Sequence, residues 1–95
     1  MNIDELNDYL LDILNMELLD NKRQTVLEVI DSLEKGLEEQ ELKEQHESMK
    51  ETLKDFKKYR DRYCYYAVDI MSCIWGQGFV ITDAENNYIG FIRTI

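Results

Sequence analysis

The sequence predicts a mainly α protein with a C-terminal β-hairpin. It is an α+β fold in which two shorter helices lead into one long helix of about 35 residues and then a two-stranded antiparallel hairpin. Three observations carry that expectation. There is no proline, and the four glycines stand at 36, 76, 78 and 90, so no breaker falls between 38 and 75. Leu42, His46, Met49, Leu53, Phe56, Tyr63, Ala67, Ile70 and Ile74 recur at steps of three, four or seven, as one face of a helix ~55 Å long would require. After Gly78 the period changes: Phe79–Thr82 and Tyr88–Ile92 are β-branched and aromatic runs separated by Asp83-Ala84-Glu85-Asn86-Asn87.

The elements follow in order within a single domain, 1–95. A first helix over 2–19 places Ile3, Leu6, Leu10, Ile13, Leu14 and Leu18 on one side and Asp4, Glu5, Asp8 and Asp12 on the other. Asn2 or Asp4 caps its start, where early acids suit the positive end of the helix dipole. Asp20-Asn21-Lys22 is a turn into a second helix over 22–35, with Val26, Leu27, Ile30, Leu33 and Leu37 inward. Gly36 stands where a C-cap is expected, and the apolar register slips there, so a turn is predicted. The third helix, 38–75, keeps a seven-residue repeat like that of a supercoiled seam. The hairpin at 79–93 needs the helices or another sheet edge to hold it.

Twenty acids against eleven bases give a formal net charge of −9. Phosphates and anionic lipid surfaces repel such a chain, so neither direct nucleic-acid binding nor membrane binding is expected. Basic protein surfaces attract it. Residues 1–20 hold six acids and no base, the most one-sided stretch of the chain. No apolar run approaches the ~20 residues that span a bilayer. Cys64 and Cys73 would lie ~13 Å apart along one helix, too far for a disulfide. Two unpaired thiols and an acidic N-terminus point to a reducing, cytoplasmic setting.

Two surfaces stand out as candidates for partner binding. The first is acidic: Asp4, Glu5, Asp8 and Asp12 on the first helix, with Glu44, Glu47, Glu51 and Asp55 laddered along the third. A row of carboxylates every ~5–6 Å imitates, at coarser spacing, the phosphates that a DNA strand presents every ~3.4 Å. The second is the aromatic and basic run 57–66, with Tyr59, Arg60, Arg62 and Tyr65 as contact residues, since tyrosine and arginine dominate interaction hot spots. The single histidine, His46, falls on the apolar side and is expected in the core. No catalytic, cofactor-binding or metal-ligating residues are expected: glycine-rich phosphate loops, serine elbows and HExxH are all lacking. Three helices and a hairpin share the element order of a winged helix-turn-helix. Against that, a recognition helix is short and basic, unlike 38–75.

The functional expectation is therefore a non-enzymatic small acidic binding protein. It would block a partner protein at a basic, possibly nucleic-acid-binding surface, as phage and mobile-element inhibitors do, an analogy of class alone. The alternative is a homodimeric helical structural or adaptor protein that self-associates along the long-helix seam.

Overall fold

The computed structural model describes residues 1–39, 43–70 and 77–94, with the side chains of 39, 43–46 and 48 left aside. The order of elements is α1 (Ile3–Leu14), β1 (Met16–Leu18), β2 (Gln24–Thr25), α2 (Val26–Glu39), α3 (Lys43–Lys57), β3 (Tyr63–Asp69), β4 (Gln77–Thr82) and β5 (Tyr88–Arg93). All five strands join one antiparallel sheet in the order β1-β3-β4-β5, with β2 also on β3. β1 pairs with Ala67–Asp69 and β2 with Tyr63–Cys64, so the two act as one interrupted edge strand.

Helices cover both faces of this sheet. Successive strand residues point to opposite sides, and the two apolar clusters follow that alternation. Cys64, Ile81 and Ile92 pack with Val26, Val29, Ile30, Leu53 and Phe56, which places α2 and α3 on one face. Tyr65, Ala67 and Val80 pack with Leu6, Leu10 and Met16, which places α1 on the other. Leu6 and Leu10 are fully buried and contribute on the order of 2 kcal/mol each.

Local chemistry sets the helix limits. The Asn2 side chain accepts the Glu5 N–H at 2.8 Å, an N-cap for α1. At its other end Asn15 adopts the left-handed conformation with φ 52° and donates its N–H to Leu10 O. For α2, Thr25 and Glu28 form a reciprocal capping box, Glu28 N–H to Thr25 Oγ1 at 3.2 Å and Thr25 N–H to Glu28 Oε2 at 3.4 Å.

The structure corrects the predicted fold class. No 35-residue helix forms; α3 has 15 residues and stops at Lys57. Tight bonds from Lys58 N–H to Asp55 O and from Tyr59 N–H to Phe56 O wind down the helix, and the chain turns back into β3. Tyr63–Asp69 is rich in strand formers and has buried residues on both faces. A doubly buried strand is nearly continuous in apolar residues, so a helical series can be threaded through it by coincidence.

The supercoiled seam disappears with the long helix. Leu53 and Phe56 turn their apolar face to α2 and the sheet, and the self-association surface assumed for the homodimer is not present as a continuous stripe. The helical and coiled-coil descriptions give way to three short helices on a five-stranded sheet.

Three further expectations change. Helix 2–19 ends at Leu14, because residues 16–18 bond to β3. Helix 22–35 begins at Val26, and Leu27, expected inside, is exposed while Val29 is buried. Finally, α2 runs straight through Gly36. A Cβ there would meet Met49 Cε at 3.2 Å, so this glycine permits close approach of α3 in place of a turn. The hairpin forms where expected, as β4 and β5 of the larger sheet, and the winged-helix order is replaced by α-β-β-α-α-β-β-β. The expectations for His46, Cys73 and the side chain of Glu44 lie outside the described residues.

Candidate functional site

The α1 layer is fixed by its flanks. Asn7 accepts the Leu18 N–H at 3.1 Å on the β1 side. On the β5 side the Tyr9 ring meets Tyr88 with centroids 5.8 Å apart. With Leu6 and Leu10 buried between those flanks, a turn of 100° per residue points Asp8 straight outward. Glu5 and Asp12 then lean toward β5, beside Tyr9 and Ile13. Asp4, Glu5, Asp8 and Asp12 are all exposed, and Tyr9 and Ile13 keep 39% and 53% of their surface accessible. On this flank two exposed apolar side chains lie next to the carboxylates of Glu5 and Asp12.

The acids of α3 occupy the opposite side of the sheet, so the two predicted acidic rows do not merge into one face. Glu47, Glu51 and Asp55 are exposed. Their layer is also partly neutralised: Lys58 pairs with Asp55 at 3.5 Å, Lys57 with Glu34 at 3.7 Å and Lys35 with Asp31 at 3.3 Å. These exposed pairs add little stability, but they flatten the local field. Among the described residues no ion pair involves Asp4, Glu5, Asp8 or Asp12.

The aromatic and basic run does not form one patch. Tyr65 is 3% exposed and belongs to the core, its hydroxyl donating to Asn86 Oδ1 at 2.9 Å, so it is no surface anchor. Tyr59 is half-buried; Arg60 and Arg62 are exposed in the bend between α3 and β3. Lys58, Tyr59, Arg60, Asp61 and Arg62 line a shallow depression of about 140 Å³ there. Sequence reasoning missed Arg23, whose guanidinium lies 3.7 Å from the Tyr63 ring centroid and donates to Ala84 O at 3.0 Å. It ties the β1–β2 crossing to the hairpin turn.

A second cleft, about 170 Å³, is lined by Leu14, Met16, Asp69, Phe91 and Arg93. Both depressions are smaller than typical small-molecule sites of ~300 Å³ and above.

Burial, with Glu28 nearby, pushes the Cys64 thiol up to about 12, so it stays protonated and a poor nucleophile at neutral pH. Asp83 is held below the usual carboxylate range, chiefly by the Asn87 N–H, then by the Asn87 side chain and the Glu85 N–H. It is a turn clamp. Tyr88 is raised by burial and by Tyr9 and Tyr59 beside it. Among the described residues no three His, Cys, Asp or Glu side chains gather as a metal site, and no helix is long and apolar enough to cross a membrane.

Compared with protein-family models, curated proteins and solved structures, the chain finds no match.

Proposed function

We propose that this chain is a non-enzymatic binding protein that occupies a basic surface of a partner protein, of the kind that nucleic-acid-binding faces present, and blocks it. The carrying observation is the outward face of α1, where Asp4, Glu5, Asp8 and Asp12 are exposed without a compensating ion pair among the described residues and Glu5 and Asp12 lie on the same flank as the exposed Tyr9 and Ile13. Such a face steers a basic partner over roughly a Debye length and then offers apolar area for contact. The buried, protonated Cys64 thiol suits a packing role in the core. That free thiol also suits a reducing, cytoplasmic setting.

The test is affinity capture from a host lysate, followed by rebinding of the purified partner at low and high salt. Wild type should hold the partner at low salt and release it at high salt. The triple variant Glu5→Lys, Asp8→Lys, Asp12→Lys should lose it while keeping the wild-type circular dichroism spectrum. Reversal of Glu47 and Glu51 on α3 should weaken binding far less. Salt-independent retention would refute the electrostatic reading, and equal loss from the two reversals would remove α1 as the contact face.

A further inference from the structure

The two edges of the sheet differ in whether their outward hydrogen-bonding groups are met. In an antiparallel ladder alternate residues bond to the neighbouring strand and those between turn their N–H and C=O outward. On the β1 side, Leu19 donates to Tyr66 O and Ile70 donates to Asn15 O, so Leu18 is an outward residue. Asn7 meets its N–H at 3.1 Å. On the β5 side, Thr94 donates to Gln77 O at 3.1 Å. The same register gives Ile92 and Gly90 to β4 and turns Phe91 outward between them. Among the described residues nothing bonds to that outward N–H and C=O of Phe91. β5 is six residues long, against three for β1 and two for β2.

The edge is also packed from beneath and flanked. The Phe91 ring lies over Gly78, where an added Cβ would collide with it. Beside the edge, Tyr9 reaches Tyr88, and Ile13 and Ile89 are exposed, with Glu5 and Asp12 leaning over the same flank. We infer that the outer edge of β5 docks an extended, lysine- or arginine-rich segment of a partner protein, which adds beside β5 as a further strand. Alternate side chains of such a segment rise toward α1. Their apolar stems lie along Tyr9 and Ile13, and their charged ends meet Glu5 and Asp12.

This rests on the reading that α1 faces a basic partner. Charge decides against a second copy of the chain as occupant. Two β5 strands paired about a twofold axis would bring two α1 helices onto one side of a continuous sheet, and each chain carries −9.

The probe is a short synthetic peptide alternating lysine with valine, compared with its glutamate counterpart and with a helix-forming lysine–alanine peptide of equal charge. Binding is followed by calorimetry and by hydrogen exchange of the Phe91 amide. The extended lysine peptide should bind, weaken with salt and slow exchange at Phe91 by about tenfold or more. Glu5→Lys with Asp12→Lys should reduce its affinity by about tenfold. Binding that leaves Phe91 exchange unchanged, or equal binding of the helical peptide, would overturn strand addition while leaving the basic-partner reading in place. No binding of either lysine peptide at low salt would overturn both. Phe91 protection that rises with protein concentration, without peptide, would make a second copy the occupant and overturn the inference.

Discussion

Along one edge of the sheet, two short strands of three and two residues cross β3 with a break between them, carry the exposed Glu17, and have an outward amide met by Asn7. Along the other edge, β5 runs six residues with Phe91 facing outward and unmet among the described residues. Natural sheets usually blunt an edge by shortness, charge or cover. Here the first edge has all three devices, whereas among the described residues β5 carries the bulge near Ile81/Thr82 and a terminal Arg93. An edge left long and bonded on one side only is a place where another chain can add. The same contrast appears in charge: ion pairs stud the α2–α3 layer, whereas the acids of α1, whose Tyr9 reaches Tyr88 of β5, are uncompensated among the described residues.

That comparison can be broken from either side. The largest effect is expected from Gly78→Ala, since the new methyl would sit 2.5 Å from Ile92 O and inside the Phe91 ring. Lifting Phe91 from its seat should destabilise the protein by about 3 kcal/mol in urea unfolding; a loss near zero would mean that β5 is not held flat by this contact. Next is Asn7→Ala, which strips the cover from Leu18 on the blunted edge. It should cost about 1 kcal/mol and speed exchange of the Leu18 amide, bringing that edge closer to β5 in character. An unchanged Leu18 rate would show that Asn7 does not close it.

Smaller effects sharpen the picture at the start of β5. Thr82 is fully buried and its hydroxyl has no partner among the described residues. Thr82→Val should therefore be neutral or stabilise by about 0.5 kcal/mol in the same assay, and destabilisation would reveal a bond to the hydroxyl. Asp83 gives the smallest and most local effect. Its folded value is lowered from 3.8, so its clamp on the turn is complete above that pH and is lost as pH falls through the lowered value. The Glu85 and Asn87 amide resonances should titrate with a midpoint below 3.8. A midpoint at or above it would refute the clamp.

Much of the fold was legible in local chemistry. The hairpin was readable because two strand-forming runs flank an Asp- and Asn-rich turn, and Asn86 does take the left-handed conformation, with φ 63°. Leu6 and Leu10 marked the inner face of α1 and Asn2 caps it as expected, whereas Ile13, expected on that face, is 53% exposed. Two further signals stand in the sequence. Thr25-Val26-Leu27-Glu28 is a capping box that starts α2 at Val26, and Asn15 is a residue type suited to the left-handed stop of α1.

The error at β3 has a different source. The bend at 58–62 contains neither glycine nor proline, so no punctuation marked it. Of the candidate site, the acidic residues of α1 were readable by composition and spacing, while Tyr65 looked like a surface tyrosine because it closes the run 57–66, whose earlier part carries Lys57, Lys58, Arg60 and Arg62.

The sequence by itself determined the charge, the one-sided acidity of residues 1–20, the amphipathic first helix and the C-terminal hairpin. Each depends on residues within a few positions of one another, where propensity and spacing act directly. Only the tertiary structure decided that Tyr63–Asp69 is a strand, that residues 16–18 and 24–25 extend the sheet, and that the two acidic helices lie on opposite faces. A buried strand is stabilised by bonds and side-chain contacts to strands distant in sequence. Its conformation is set by the partners that cover it, here β4 on one side and β1 with β2 on the other.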